Sequence, residues 1–306
     1  MKAAPVENSI PQTLDIALDR RVFGAWRLVS LWAVYVLTLR QHLHGKRWMV
    51  IAGMCVLCAG LVILVRATAP DVPSITLEFI FAFMFIPQAI LPLLALIYAS
   101  GIVRDEQEEQ TMTYLFIRPI PKWALYGIKL FATLTTTVIL AVALTLLTYA
   151  AVYVAAGSDV KDVSFRAVQA ASIHALTVVA YCCLFGLISL LTKRTLIVGI
   201  LYTAFFEGFL ANMPFSLRLA TVIYYTRLIA YRSMQFLAPT PGNSSRTTDL
   251  AAEAWQFDIK TDPLLLDHPQ IRTCLIVLLA ASAACAVLAA ILFSQREFHV
   301  KTPEKA

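Results

Sequence analysis

The sequence predicts an all-α integral membrane protein. It has six spanning helices, an N-terminal helix in the membrane interface, a short cytoplasmic helix and a re-entrant external segment. Three observations predict this. Of 306 residues, 59% are hydrophobic and only 14% charged, where soluble domains carry roughly a quarter charged. The apolar runs are long and continuous, unlike the ~10-residue alternating segments of an outer-membrane barrel. Basic residues gather at the ends of those runs, as the positive-inside rule requires. The net charge of +6 is therefore a signature of membrane orientation, and no nucleic-acid partner is expected.

Six segments are long enough to cross a hydrocarbon core of ~30 Å at 1.5 Å per residue. They are Arg47 to Val65, Glu78 to Val103, Trp123 to Ala156, Ala167 to Leu191, Thr195 to Met213 and Ile271 to Phe293. The third is the longest and is expected to tilt or project beyond the bilayer. Before them, residues 1–22 form a polar tail, and no cleavable signal peptide is expected. Residues 23–306 form one transmembrane domain, with the interfacial helix at about 24–44. Its apolar stretch, Leu28 to Leu39 between Arg27 and Arg40, is too short to span. Trp26, Trp32 and Tyr35 suit the headgroup level.

Residues 214–270 form the longest external loop. Its first part, Leu219 to Leu237, is interrupted by Arg227 and Arg232 and holds Tyr224, Tyr225 and Tyr231. It reads as re-entrant or surface-lying, with a seventh span as the alternative. The last part, PTPGNSSRTTDLAAEAWQFDIKTDPLLLDHPQ, is polar and proline-punctuated and is read as exposed. With both termini in the cytoplasm, 16 Lys and Arg fall inside and 9 outside. This sets the orientation of a multi-pass protein of the cell's inner (plasma) membrane.

That orientation puts SGIVRDEQEEQTMTYLFIRPIPK, residues 100–122, in the cytoplasm between two spans. Asp105, Glu106, Glu108 and Glu109 favour a helix start through the dipole. Thr111, Tyr114, Leu115 and Arg118 continue it at helical spacing, and Pro119 and Pro121 end it. The result is a short helix along the inner membrane face, rigidly joined to two spans.

The stretch resembles the cytoplasmic signature of ABC-2 type transporter permeases, carried here by Gly101, Ile102, Glu106, Glu108, Thr111, Leu115, Pro119, Ile120 and Lys129. The family's glycine before the threonine is Gln110, and its Ser or Thr after Pro-Ile is Pro121. The resemblance implies an N-terminal elbow helix, six spans and a re-entrant element before the last one. It also implies a paired second permease chain, in a homodimer or related heterodimer. On the same resemblance, a separate ATPase subunit is expected to dock on the cytoplasmic coupling helix, through Arg104, Asp105, Glu106, Glu108, Glu109, Thr111, Tyr114, Leu115, Arg118 and Pro119. The sequence has no G-x-x-x-x-G-K-[ST] phosphate loop. No cofactor is expected on this chain: ATP and magnesium belong to the partner, and this chain is not expected to be an enzyme.

Polar groups within the spans are few. Glu207 is the one acid in the middle of a span and, with His174, is a candidate for the translocation path; a structural hydrogen bond is the alternative for each. Thr135, Thr136, Thr137, Thr145 and Thr148 are expected to bond their own helix carbonyls. Pro87 and Pro92 are expected to kink the second span. His42 and His44 are read as solvated. The cysteines, including the Cys55-x-x-Cys58 pair, are read as small buried hydrophobes without a metal. Two other functions remain open: an intramembrane enzyme, either a protease or a lipid-modifying transferase, and a non-transporting membrane scaffold.

Overall fold

The structure is a computed structural model and describes residues 29–45, 47–102, 104, 121–154, 162–212, 216–240, 243–255 and 269–295. Six of its helices are long and apolar enough to cross a membrane. They are α2 (Arg47–Thr68), α3 (Ser74–Ala99), α4 (Lys122–Tyr153), α5 (Val163–Leu191), α6 (Thr195–Asn212) and α9 (Ile271–Gln295). Each differs from its expected span by only a few residues at the ends. Ahead of them α1 covers 29–44, about 24 Å of helix. Gly45 closes it by donating to the Gln41 carbonyl at 3.0 Å. A Cβ at Gly45 would stand 2.9 Å from that same oxygen, so a side chain is excluded where the chain turns into α2.

The sixth helix is followed by α7 (Val222–Ser233). Its 12 residues give about 18 Å, too short to cross, which favours the re-entrant reading over a seventh span. Residues 237–240 and 243–255 behind it carry more regular structure than their polarity suggests. Strands β1 (Leu237–Thr240) and β2 (Asn243–Asp249) pair antiparallel and lead into α8 (Leu250–Trp255). Phe236, Ala238, Ala251 and Trp255 are buried. The expectation of an exposed segment is thus corrected for this part: Phe236 and Trp255 both pack on Phe79 of α3, with ring centroids 5.2 and 5.1 Å away. Aromatic burial there outweighs the polarity of the residues between.

The core has two parts. At the end of the bundle that carries α1, Tyr98, Tyr126, Tyr181, Phe185 and Phe293 join α3, α4, α5 and α9. At the opposite end, Phe79, Phe83, Tyr224, Phe236, Trp255 and Cys274 join α3, α7, α8, the hairpin and α9. Helices α3 and α6 approach closely because residue 199 is glycine, and a Cβ there would overlap the Leu96 methyls. Helix α2 and α9 lie at the periphery, with Val56, Leu57, Ile63, Ile276 and Leu288 facing outward as a lipid-contacting helix requires.

The second span departs from regular α-helix where its prolines fall. It is π-helical over Phe79–Ile90, with Pro87 inside this stretch, and returns to α-helix at Leu91 with Pro92 in the first turn. A π turn spreads the loss of the proline donor over a wider ring of backbone groups. The threonines behave as expected, each bonding the carbonyl four residues back: Thr135 to Phe131, Thr136 to Ala132, Thr137 to Thr133, Thr145 to Ala141 and Thr148 to Leu144.

Candidate functional site

The segment 101–122 leaves and rejoins the bundle at the end that carries α1. Gly101 and Ile102 continue the line of α3, and both are buried. Ile102 is held in two ways. Its side chain lies beside Gly186 of α5, where a Cβ would meet Ile102 Cδ1 at 3.6 Å and the Tyr126 hydroxyl at 2.8 Å. Its carbonyl accepts a hydrogen bond from Lys129 Nζ of α4 at 3.1 Å. An ammonium that is 5% exposed needs such an acceptor, because burial without one costs several kcal/mol. The far end is set by Pro121, whose carbonyl receives the amides of Ala124 and Leu125 at 3.0 and 3.1 Å to start α4. Arg104 is exposed at the rim. Asp105, Glu106, Glu108, Glu109, Thr111, Tyr114, Leu115, Arg118 and Pro119 lie outside the described residues.

Helix α1 docks against this root. Val34, Thr38 and His42 form its buried stripe, spaced four apart as one helical face demands. Tyr35 donates to Thr135 Oγ1 at 3.4 Å, and His42 Nε2 lies 3.2 Å from Thr133 Oγ1. The expectation of a solvated His42 is therefore corrected: it is 5% exposed. His44, by contrast, is exposed and reaches only the Arg40 carbonyl. Burial and the nearby Arg47 and Lys129 cations hold the His42 imidazole down to about 4, so it is neutral near pH 7. Trp32 and Leu43 on other faces of α1 are 65% and 60% exposed, which suits contact with the bilayer interface.

The two candidate groups within the spans are not bonded to one another. Glu207 lies in the π-helical Thr203–Phe209 stretch of α6 and is fully buried. Its carboxylate accepts the amides of Val222 and Ile223 at 3.1 and 3.0 Å, and the Tyr202 hydroxyl at 3.2 Å. It is a cap for α7, whose first-turn amides have no partner within the helix. Farther along α7, Arg227 donates to Asn212 Oδ1 at 2.9 Å and to Gln88 Oε1 of α3 at 3.0 Å. His174 of α5 places Nδ1 2.7 Å from Thr145 Oγ1 of α4 and its ring 5.6 Å from that of Phe83.

A third cluster was not anticipated. Glu78 of α3 is 1% exposed and receives Arg166 of α5 at 2.7 Å. Tyr149 of α4 donates to it at 2.8 Å, and Tyr153 donates to its other oxygen. Arg166 also reaches the Gln235 carbonyl at 3.3 Å and lies over the Phe236 ring at 5.7 Å. One ion pair thereby joins three spans to the segment that follows α7. The signal was present: Tyr149 and Tyr153 are four apart on one face of α4, and each sequence end of the pair sits at a span boundary.

Cys58 Sγ lies 3.6 Å from Thr148 Oγ1, and the six cysteines are all free thiols. Among the described residues no group of three or more His, Cys, Asp and Glu side chains is arranged to hold a metal.

A search of curated proteins finds no match to the chain. The model of the ABC-2 family transporter proteins matches residues 40–210, more than half of the sequence. The match begins in α1, takes in α2 to α5 and most of α6, and includes the root residues Gly101, Ile102 and Lys129. The six membrane-length helices among the described residues and this match agree, and the chain belongs to the ABC-2 family of transporter membrane proteins.

Proposed function

We propose that this permease subunit exports its cargo as a dimer, driven by a separate ATPase subunit that grips residues 104–119. The observation that carries the reading is the clamped root. Ile102 is fixed by Lys129 and by the notch at Gly186, so a force on the segment passes directly into α3, α4 and α5. Within the segment, Glu106 and Glu108 meet basic or polar groups of the partner, Tyr114 and Leu115 fill its groove, and Pro119 ends the lever. Asp105, Glu109, Thr111, Arg104 and Arg118 complete the contact.

Nucleotide and magnesium belong to that partner. The chain lies in the inner membrane with both termini cytoplasmic, and its second copy or a related chain completes the path. In this reading Glu207 and His174 border the path. Glu207 holds α7, and His174 supports the π-helical part of α3.

The test is a double charge reversal, Glu106→Lys with Glu108→Lys. The variant should reach the membrane at ordinary levels, fail to retain the ATPase on purification, and transport nothing. Normal retention of the ATPase would overturn the docking. Orientation is tested with Thr111→Cys, which should react with an impermeant maleimide only from the cytoplasmic side.

A further inference from the structure

One side chain touches two of the helices that meet at the root of residues 101–122. His42 of α1 meets Thr133 of α4 through Nε2 at 3.2 Å. Its ring also meets Tyr98 of α3 edge-on, with centroids 5.0 Å apart. Tyr98 stands one turn before Ile102, and Thr133 one turn after Lys129. Thr133 Oγ1 bonds the Lys129 carbonyl at 3.0 Å, and Lys129 Nζ bonds the Ile102 carbonyl at 3.1 Å. Two hydrogen bonds, one to each end of Lys129, thus link the Thr133 that His42 meets to Ile102 at the root of residues 101–122.

The bond directions follow from the inventory of protons. Thr133 has one hydroxyl proton and gives it to Lys129, which leaves Nε2–H of His42 as the donor to Thr133. Filling space would not require an imidazole here, since leucine has a similar reach and no polar atom to desolvate. A buried ring nitrogen is tolerated only with its partner. The opposite side of α1 presents Trp32 and Leu43 outward, an aromatic and an apolar side chain that suit the membrane interface.

We propose that His42 is a positioning residue that pins α1 to the root of residues 101–122, so that displacement of either is passed to the other. The proposal rests on the reading of that segment as the ATPase lever. A push on the lever rocks α1 within the interface, and a disturbance of the inner leaflet acting on Trp32 and Leu43 shifts the lever in return.

The test measures the distance between spin labels at Leu43→Cys and Arg104→Cys, both exposed sites. It uses the full chain in lipid nanodiscs, with the half-buried Cys55 and Cys285 replaced by alanine. His42→Leu should raise the population of undocked elbow roughly fivefold, the scale of one net hydrogen bond. Thr133→Val should do the same, and the two together should add little to either alone. His42→Gln, whose amide nitrogen stands near the position of Nε2, should keep the parent distribution. An unchanged distribution in His42→Leu would overturn the proposal, as would equal broadening in His42→Gln and His42→Leu. If His42→Leu does not fold, the near-isosteric Thr133→Val decides in the same way. No ATPase is present in these measurements, so loss of the docking reading would leave them untouched.

Discussion

Glu78 Oε1 lies 2.7 Å from Arg166 Nη2, and the acid is 1% exposed. The Arg166 side chain keeps 16% exposure, so the buried acid carries most of the cost of breaking the pair, because without the arginine it is an uncompensated charge. Glu78→Ala and Arg166→Ala should each lose about 3–5 kcal/mol, read as a lowered unfolding temperature in detergent. Glu78→Gln with Arg166→Met should lie much closer to the parent than either alanine variant. If the double variant is as unstable as the singles, the pair is not the unit that matters.

Glu207 is expected to act on α7 more than on its own helix. Without the carboxylate, the amides of Val222 and Ile223 lose their acceptor at a depth where water is scarce. Glu207→Ala should cost about 1–2 kcal/mol, the upper range for a cap, and should speed hydrogen exchange at residues 222–226. Glu207→Gln retains a carbonyl acceptor and should protect one of the two amides. Faster exchange confined to α6 would contradict the capping role.

The six spans are legible in the sequence because each is a continuous apolar run, and a run needs no partner to be recognised. The threonine back-bonds are local as well, four residues long. The polar contacts that organise the site are different. Thr133 is 91 residues from His42, and Arg166 is 88 residues from Glu78. Neither partner can be chosen before the helices are packed. His42 looks solvated because Arg40, His44 and Arg47 surround it in sequence, while the packed helix buries Val34, Thr38 and His42 along one face. The hairpin was hidden by the polarity of Asn243–Asp249, and its anchors Phe236 and Trp255 lie outside the strands themselves.

Gly199 sets the approach of α6 to α3. A Cβ at this position overlaps the Leu96 side chain, and Leu96 is 1% exposed with no room to retreat. Gly199→Val should destabilise by about 1–3 kcal/mol, as overpacking does. Leu96→Ala should partly restore it by opening the space that valine needs. Gly199→Val with parent-like stability would mean that the two helices are farther apart than described.

His42 also supplies a pH dependence. Its imidazole is held down to about 4, first by burial and then by Arg47 and Lys129, against an ordinary value near 6.5. Between these values the unfolded chain binds a proton that the folded chain refuses, so stability must fall as pH falls. The contribution is complete above about pH 6.5, declines toward pH 4, and changes no further below it. Its full size is about 3 kcal/mol at most. Unfolding temperatures of the parent and of His42→Gln in detergent, compared from pH 7 to pH 4, isolate this group, since every other titrating residue is shared. The difference between them should move against the parent as pH drops through 6 and 5. A constant difference across that range would mean that the ring takes up its proton without leaving Thr133 and Tyr98.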